Sequence, residues 1–397
     1  DEWGDAFGRF RTAEPYTLLE SSFTYDLQPI WFEKVTATNG TVTHDTDARA
    51  ALLTATGDSG SRAALQSRQY MPYEKGKSQL IKLTYKFGTG VAFVRKRAGY
   101  FDAANGFYLE QNGTGGLNIV RRSSSTGSLV TTTVAQADWN IDPMDGTGPS
   151  GVTLNETFPN LLVIDGQWQG IGRVRLGFSI GGVTQYVHQF IHANSNGPLP
   201  YVQSFTLPCR WEIESTAASA GSTMSAACVD VVSEGGVSSP NGLTFSAFNV
   251  ANVTTSTTRA HCLSIRPGTV FPAGSSLANR SYIVPLDVSV IAANADLLIE
   301  VLYDCTLTGG TWVAANANST VEYGTGQAIG AAGILVDSFF VAAGAGASRG
   351  AGGQGIDSQY PLTISVAGDA PKSLTVTATT LSATGTVRTT MGWKEIR

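Results

Sequence analysis

The feature that most constrains this chain is a succession of short runs in which apolar and polar residues alternate, each closed by a turn-forming dipeptide. The runs include SQLIKLTYKF (78–87), GFYLEQ (106–111), LNIVRRS (117–123), NLLVIDGQW (160–168), RVRLGFSIGG (173–182), TQYVHQFIHA (184–193) and CRWEIES (209–215). A period of two places alternate side chains on opposite faces of a pleated strand, and the β-branched and aromatic residues in these runs suit a half-buried sheet. The dipeptides Asn105-Gly106, Asn112-Gly113, Asp145-Gly146, Asp165-Gly166, Gly181-Gly182 and Asn196-Gly197 supply the positive φ that tight hairpins demand. Helical periodicity is nearly absent. The stretch Asp47–Ala55 (DARAALLTA) is the one candidate, and its neighbours argue for strand. The expected fold is therefore all-β, a sandwich or jelly roll.

Length divides the chain. At 397 residues it exceeds one small domain. The stretch Ser233–Gly242 (SEGGVSSPNG) marks a linker or long turn. The expected organisation is an extended N-terminal arm over 1–45, a β-sandwich over 46–235 and a second β-sandwich over 243–397. The arm carries scattered aromatics without a period and cannot form a core of its own. It is expected to lie on another surface, its own domain or a neighbouring subunit. Within the second region, Val341–Gly355 (VAAGAGASRGAGGQG) reads as a flexible Gly/Ala insert.

Charged residues make up only 14% of the chain, against roughly 25% in ordinary soluble domains. Net charge is −5 and the isoelectric point about 5.4, which argues against a general nucleic-acid or acidic-membrane binder. The basic run Arg95-Lys96-Arg97 reads as a solvated strand end. No apolar run reaches the roughly 20 residues of a membrane span. The opening Asp1-Glu2-Trp3-Gly4-Asp5 lacks signal-peptide character. The four cysteines, Cys209, Cys228, Cys262 and Cys305, form no metal-site spacing. They read as buried thiols, with a Cys209–Cys228 bridge left open.

Several stretches imitate chemistry. Asp138, Asn140 and Asp142 begin like a calcium loop, but Pro143 stands where the sharp turn needs Gly, and Pro149 where a bidentate Glu belongs. An irregular calcium site stays open at this point. The Gly146–Gly151 segment lacks the Lys of a phosphate loop. Trp139 and Ile141 are expected to anchor the segment in the core. Gly350–Gly355 matches a dinucleotide fingerprint but has no strand–helix context, and Gly346–Gly350 matches a nucleophile elbow around Ser348 with no His after it. His188 and His192 lack the Glu of a zinc helix and read as sheet residues. Glu212 and Glu214 share one strand face, as a retaining glycosidase pair does, but the third carboxylate of the glycosidase signature on a concanavalin-like sandwich is missing. The pair reads as solvent-facing alternation on an edge strand. Trp168, beside polar residues and turns, is the best candidate for stacking on a sugar.

Long segments carry a resemblance. These are GRFRTAEPYTLLESSFTYDLQPIWFE (8–33), GYFDAANGFYLEQ (99–111), VAQADWNIDPMDGTGPSG (134–151), LLVIDGQWQGIGRVRLGF (161–178), YVHQFIHAN (186–194) and the terminal GWKEIR (392–397). Together they resemble a widespread, mostly uncharacterised family of tailed-bacteriophage virion structural proteins. The resemblance is strongest over about 70–235 and loosest in the second domain. It implies a concanavalin-like jelly roll followed by a C-terminal β domain, on the outer surface of the particle, as capsid decoration, head fibre, tail or baseplate component. It implies no catalytic residues, no cofactor and no metal.

The leading expectation is thus a non-enzymatic structural protein that assembles with copies of itself, as a homo-oligomer such as a trimer, and with capsid or tail proteins. Its arm residues Trp3, Phe7, Phe10, Tyr16, Phe23, Trp31 and Phe32 would bury against neighbours. The alternatives are a lectin-like receptor binder that recognises host surface glycan through Trp168, and a glycan-degrading enzyme using Glu212 and Glu214.

Overall fold

The computed structural model describes residues 14–195, 197–235, 242–343, 350–356 and 360–397. The chain forms two compact units, Asp1–Pro240 and Asn241–Arg397. Both are built from antiparallel strands, and among the described residues the only helical element is the 3₁₀ turn Gln136–Asp138.

The first unit packs two large sheets face to face. One has seven strands in the order Val130–Ala135, Leu117–Ser123, Gly106–Asn112, Val94–Phe101, Cys209–Ser215, Arg62–Ser67, Phe32–Ala37. The other has six, in the order Tyr16–Ser22, Cys228–Ser233, Gln79–Tyr85, Asn160–Gly166, Val174–Ile180, Val183–Phe190. The chain crosses between the sheets repeatedly, the connectivity of a jelly roll. Alternation decides which side chains enter the core. In Gln79–Tyr85 the residues Ile81, Leu83 and Tyr85 are buried while Leu80, Lys82 and Thr84 are partly exposed. The Gly181-Gly182 dipeptide closes Val174–Ile180 onto Val183–Phe190 with φ of 61° and 82°, a two-residue turn that side-chain-bearing residues adopt only with strain.

The N-terminal stretch lies, from Tyr16 onward, on its own unit, one of the two surfaces expected for it. From Tyr16 it is strand, paired with Cys228–Ser233, and Phe32–Ala37 borders the seven-stranded sheet. Phe23 and Phe32 are 0% and 2% exposed, and Phe23 packs edge-on against Phe32 at 5.1 Å and Trp211 at 5.7 Å. They bury against their own unit, in one core with Trp211. Trp31 packs on the same core, and Tyr16 is 42% exposed. Trp3, Phe7 and Phe10 lie outside the described residues.

The second unit is also a sandwich. Leu243–Phe248, Gly385–Ile396, Tyr282–Ala293 and Gly350–Gly355 lie in one sheet, with Val253–Thr255 added beside Gly385–Ile396. The facing sheet has six strands, and Trp393, Met391 and Val288 of the first meet Ile299, Val376 and Leu263 of the second in one core. Gly350–Gly355, expected as flexible loop, is an edge strand paired with Asp287–Ala292. A Cβ on Gly352 would lie 2.8 Å from Val341 Cγ2, so a side chain there would displace Val341. Ser348 and most of the Ser233–Gly242 linker lie outside the described residues.

Candidate functional site

The strand Cys209–Ser215 lies between Val94–Phe101 and Arg62–Ser67, in the interior of its sheet and not at an edge. Cys209, Trp211 and Ile213 enter the core, so Arg210, Glu212 and Glu214 share the opposite face. Cross-strand register brings Arg97 opposite Glu212 and, one strand further, Glu110 opposite Arg97. The result is a charge cluster of three arginines and three glutamates. Glu212 accepts from Arg62 Nη2 at 2.8 Å, Arg97 Nη1 at 2.6 Å and Arg210 Nε at 2.9 Å. Arg97 Nη1 also reaches Glu214 at 3.1 Å, and its Nε reaches Glu110 at 2.7 Å.

Glu212 is 3% exposed, so the expectation of solvent-facing carboxylates fails for it. Burial on its own would raise its pKa, but Arg210, Arg97 and Arg62 outweigh that and hold the carboxyl well below its usual range. A glycosidase acid has to be protonated near its working pH, and a scissile bond has to fit between two carboxyls. Here the Arg97 guanidinium fills that space. The same face is closed further on by Phe101, Tyr108 and Val120, with Arg122 over both aromatic rings at 5.6 and 5.2 Å. The Arg95-Lys96-Arg97 run is therefore not a solvated strand end. Arg97 belongs to this cluster, and Lys96, 1% exposed on the core side, donates to the Thr89 carbonyl at 3.0 Å and to the Phe87 carbonyl.

The segment 137–151 is a locked turn. Asp142, 4% exposed, accepts from the Met144 N–H through Oδ1 and the Ser150 N–H through Oδ2, both at 2.8 Å. Asp145 Oδ1 accepts from the Thr147 N–H and hydroxyl. These oxygens serve backbone donors, and no cluster of metal-binding side chains occurs among the described residues. Trp139 is buried and stacks on Phe178 at 6.2 Å, while Ile141 is 36% exposed and holds on through its N–H, which donates to the Val187 carbonyl at 3.0 Å. His188 is a sheet residue whose Nδ1 accepts from the Asn140 N–H at 3.2 Å, and burial lowers its pKa to about 4. All four cysteines are free thiols.

Trp168 occupies the hairpin loop between Asn160–Gly166 and Val174–Ile180. Its ring meets Tyr73 edge-on at 5.5 Å and packs on the core, and its indole N–H is buried without an acceptor. It buttresses the loop, half-buried. The loop's other side chains border a polar pocket of about 400 Å³ that sequence reasoning missed, because the pocket is assembled from three distant stretches. Asp165 sits there with its Oδ2 taken by Tyr186 Oη at 2.9 Å and by Arg175. Arg175 in turn lies over the Tyr186 ring at 4.0 Å. Burial, then Asp165, pushes the Tyr186 phenol up to about 12.

No protein-family model and no curated protein matches the chain. Solved structures match part of it. A glycosyl hydrolase family protein from Mycobacterium fortuitum is 14% identical, with 54% of this chain and 99% of that one covered and a TM-score of 0.38. The β-glucanase of Bacillus licheniformis is 11% identical over 55% and 98% of the two chains, TM-score 0.35. A protein of unknown function from Shewanella oneidensis MR-1 is 9% identical over 57% and 89%, TM-score 0.37.

Proposed function

We propose that this protein is a non-enzymatic structural component of a tailed-bacteriophage virion, exposed on the particle and acting by assembly. The observation that carries the reading is the position of Arg97 between Glu212 and Glu214. It turns the face where a jelly-roll glycosidase would hold its carboxyls into a neutralised, self-closed surface. The resemblance to virion proteins supplies the particle. Two of its motifs, 99–111 and 161–178, coincide with hairpins of the first unit, Val94–Phe101 with Gly106–Asn112 and Asn160–Gly166 with Val174–Ile180.

Assembly needs surface that is apolar and not already used. Tyr25 at 83%, Phe158 at 63% and, in the second unit, Val250 at 74% and Phe340 at 70% exposure are such residues. Phe23 and Phe32 leave the set of anchoring residues, since they build the first unit's core. Trp31, partly buried, packs against that core as well, so what remains of the anchoring claim is Trp3, Phe7, Phe10 and Tyr16. Incorporation of a chain lacking residues 1–13 into particles tests it. Loss of incorporation with the β units still folded supports an anchor, and normal incorporation removes it.

A further inference from the structure

The Gly166–Gly172 loop is held more tightly than an idle surface turn requires. Gln169 has φ of 40°, a region that a long side chain enters only with strain. Its N–H donates to Tyr73 Oη at 3.3 Å, and Tyr201 Oη donates to the Gly172 carbonyl at 2.6 Å. Two glycines are obligatory. A Cβ on Gly172 would lie 2.0 Å from the Gln167 carbonyl oxygen, and one on Gly166 would lie 2.1 Å from the Phe205 ring. Strain that the surroundings enforce in this way is characteristic of pre-organised sites. Here it presents Gln167 and Gln169 to the 400 Å³ pocket.

The pocket's polar groups divide into engaged and free. Arg175 is neutralised by Asp165, and Lys77 by Glu74. Glu234 accepts from the Ser78 hydroxyl at 2.8 Å. The side chains of Gln167, Gln169 and Arg173 have no hydrogen-bond or ion-pair partner among the described residues. Asp165 Oδ1 is likewise left as an acceptor, since its hydrogen bonds all go to Oδ2. One unneutralised guanidinium, two carboxamides and two carboxylates with spare oxygens therefore converge on a concave space within the size range of small-ligand sites, roughly 300–1,000 Å³.

We propose that this pocket binds an acidic sugar, a pyranose carrying hydroxyls and a carboxylate. The guanidinium of Arg173 takes the ligand carboxylate in a charge-assisted pair. The Gln167 and Gln169 carboxamides, which both donate and accept, take ring hydroxyls, and Asp165 Oδ1 accepts from a further hydroxyl. A simple anion uses only the first of these groups, and a neutral sugar leaves Arg173 unpaired. The inference is independent of the assembly role and holds wherever the chain acts.

The test uses the full chain and ligand-detected NMR with five probes: glucuronate, galacturonate, mannuronate, glucose and inorganic sulfate. At least one uronate is expected to bind, glucose and sulfate about tenfold more weakly, and Arg173→Gln to weaken the uronate by about tenfold, as loss of one charged hydrogen-bonded partner does. Gln167→Ala, on an exposed side chain, is expected to weaken uronate and leave sulfate unchanged. The proposal is overturned if none of the three uronates binds at millimolar concentration, if sulfate binds as well as they do, or if Arg173→Gln leaves uronate binding intact.

Discussion

Arg97 Nη1 lies 2.6 Å from a carboxylate oxygen of Glu212 and 3.1 Å from one of Glu214, so a single guanidinium nitrogen bridges the two acids that most invite a catalytic reading. Glu212 is the keystone of this cluster and Glu214, on its margin, is not. Glu212→Gln leaves Arg62, Arg97 and Arg210 without their shared anion and is expected to destabilise the first unit by about 3–5 kcal/mol. Glu214→Gln is expected to cost less than about 1 kcal/mol. Urea unfolding of the two variants checks the ranking.

The depressed pKa of Glu212 has a signed consequence for acid stability. A carboxyl whose folded pKa lies below its unfolded value contributes stability that is present above the unfolded value, about 4.3, and is lost as pH falls towards the folded one. The wild-type unfolding free energy is therefore expected to drop below about pH 4, with a smaller drop in Glu212→Gln. Unfolding curves collected from pH 6 to pH 2.5 measure it, and parallel pH profiles would contradict it.

The opposite sign holds for Glu156. Burial raises its pKa to about 7, against the lowering effects of the Tyr85 hydroxyl at 3.0 Å and of Lys96. The folded state then holds a proton that the unfolded state releases, so stability falls as pH rises from the unfolded pKa, about 4.3, through 7. Glu156→Gln keeps a partner for Tyr85 and removes the titration. It is expected to flatten the profile over that window and to gain on the order of 1 kcal/mol at pH 8.

Phe23→Ala is expected to cost about 3–5 kcal/mol, because it empties a site between Phe32 and Trp211 that the surrounding strands cannot close. Tyr16→Ala, on an exposed residue, is expected to change stability by less than about 0.5 kcal/mol. A small effect at Phe23 would return that residue to the anchoring set.

Gln169→Gly relieves the positive φ and is expected to raise stability by up to about 1 kcal/mol. The same change removes a carboxamide from the polar pocket and weakens uronate binding. A gain in stability with unchanged binding would detach the loop strain from the ligand site.

Much of the fold was legible in the letters because alternation and glycine turns are local signals. The run CRWEIES announced a strand with Trp211 on one face and Glu212 on the other. What it could not announce was that strands from 62–67 and 94–101 would flank it and bring arginines to the glutamates, since that register is set over more than a hundred residues. Which surface the N-terminal stretch takes was not legible for a related reason. Phe23 and Phe32 lack a period, and they pack against Trp211, nearly two hundred positions away. Gly350–Gly355 was misjudged because glycine richness reads as freedom, whereas here it answers close approach to Val341. The pocket beside Trp168 left one trace, a run of polar residues and glycines around a tryptophan.

The central claim is that the chain is a part of the particle and not an enzyme acting beside it. Quantitative mass spectrometry of gradient-purified particles from a culture that produces the chain tests this most directly. The account predicts that the chain co-purifies with the major capsid protein at one fixed copy ratio across preparations. Recovery of the chain only in the soluble lysate, with none in the particles, would contradict it.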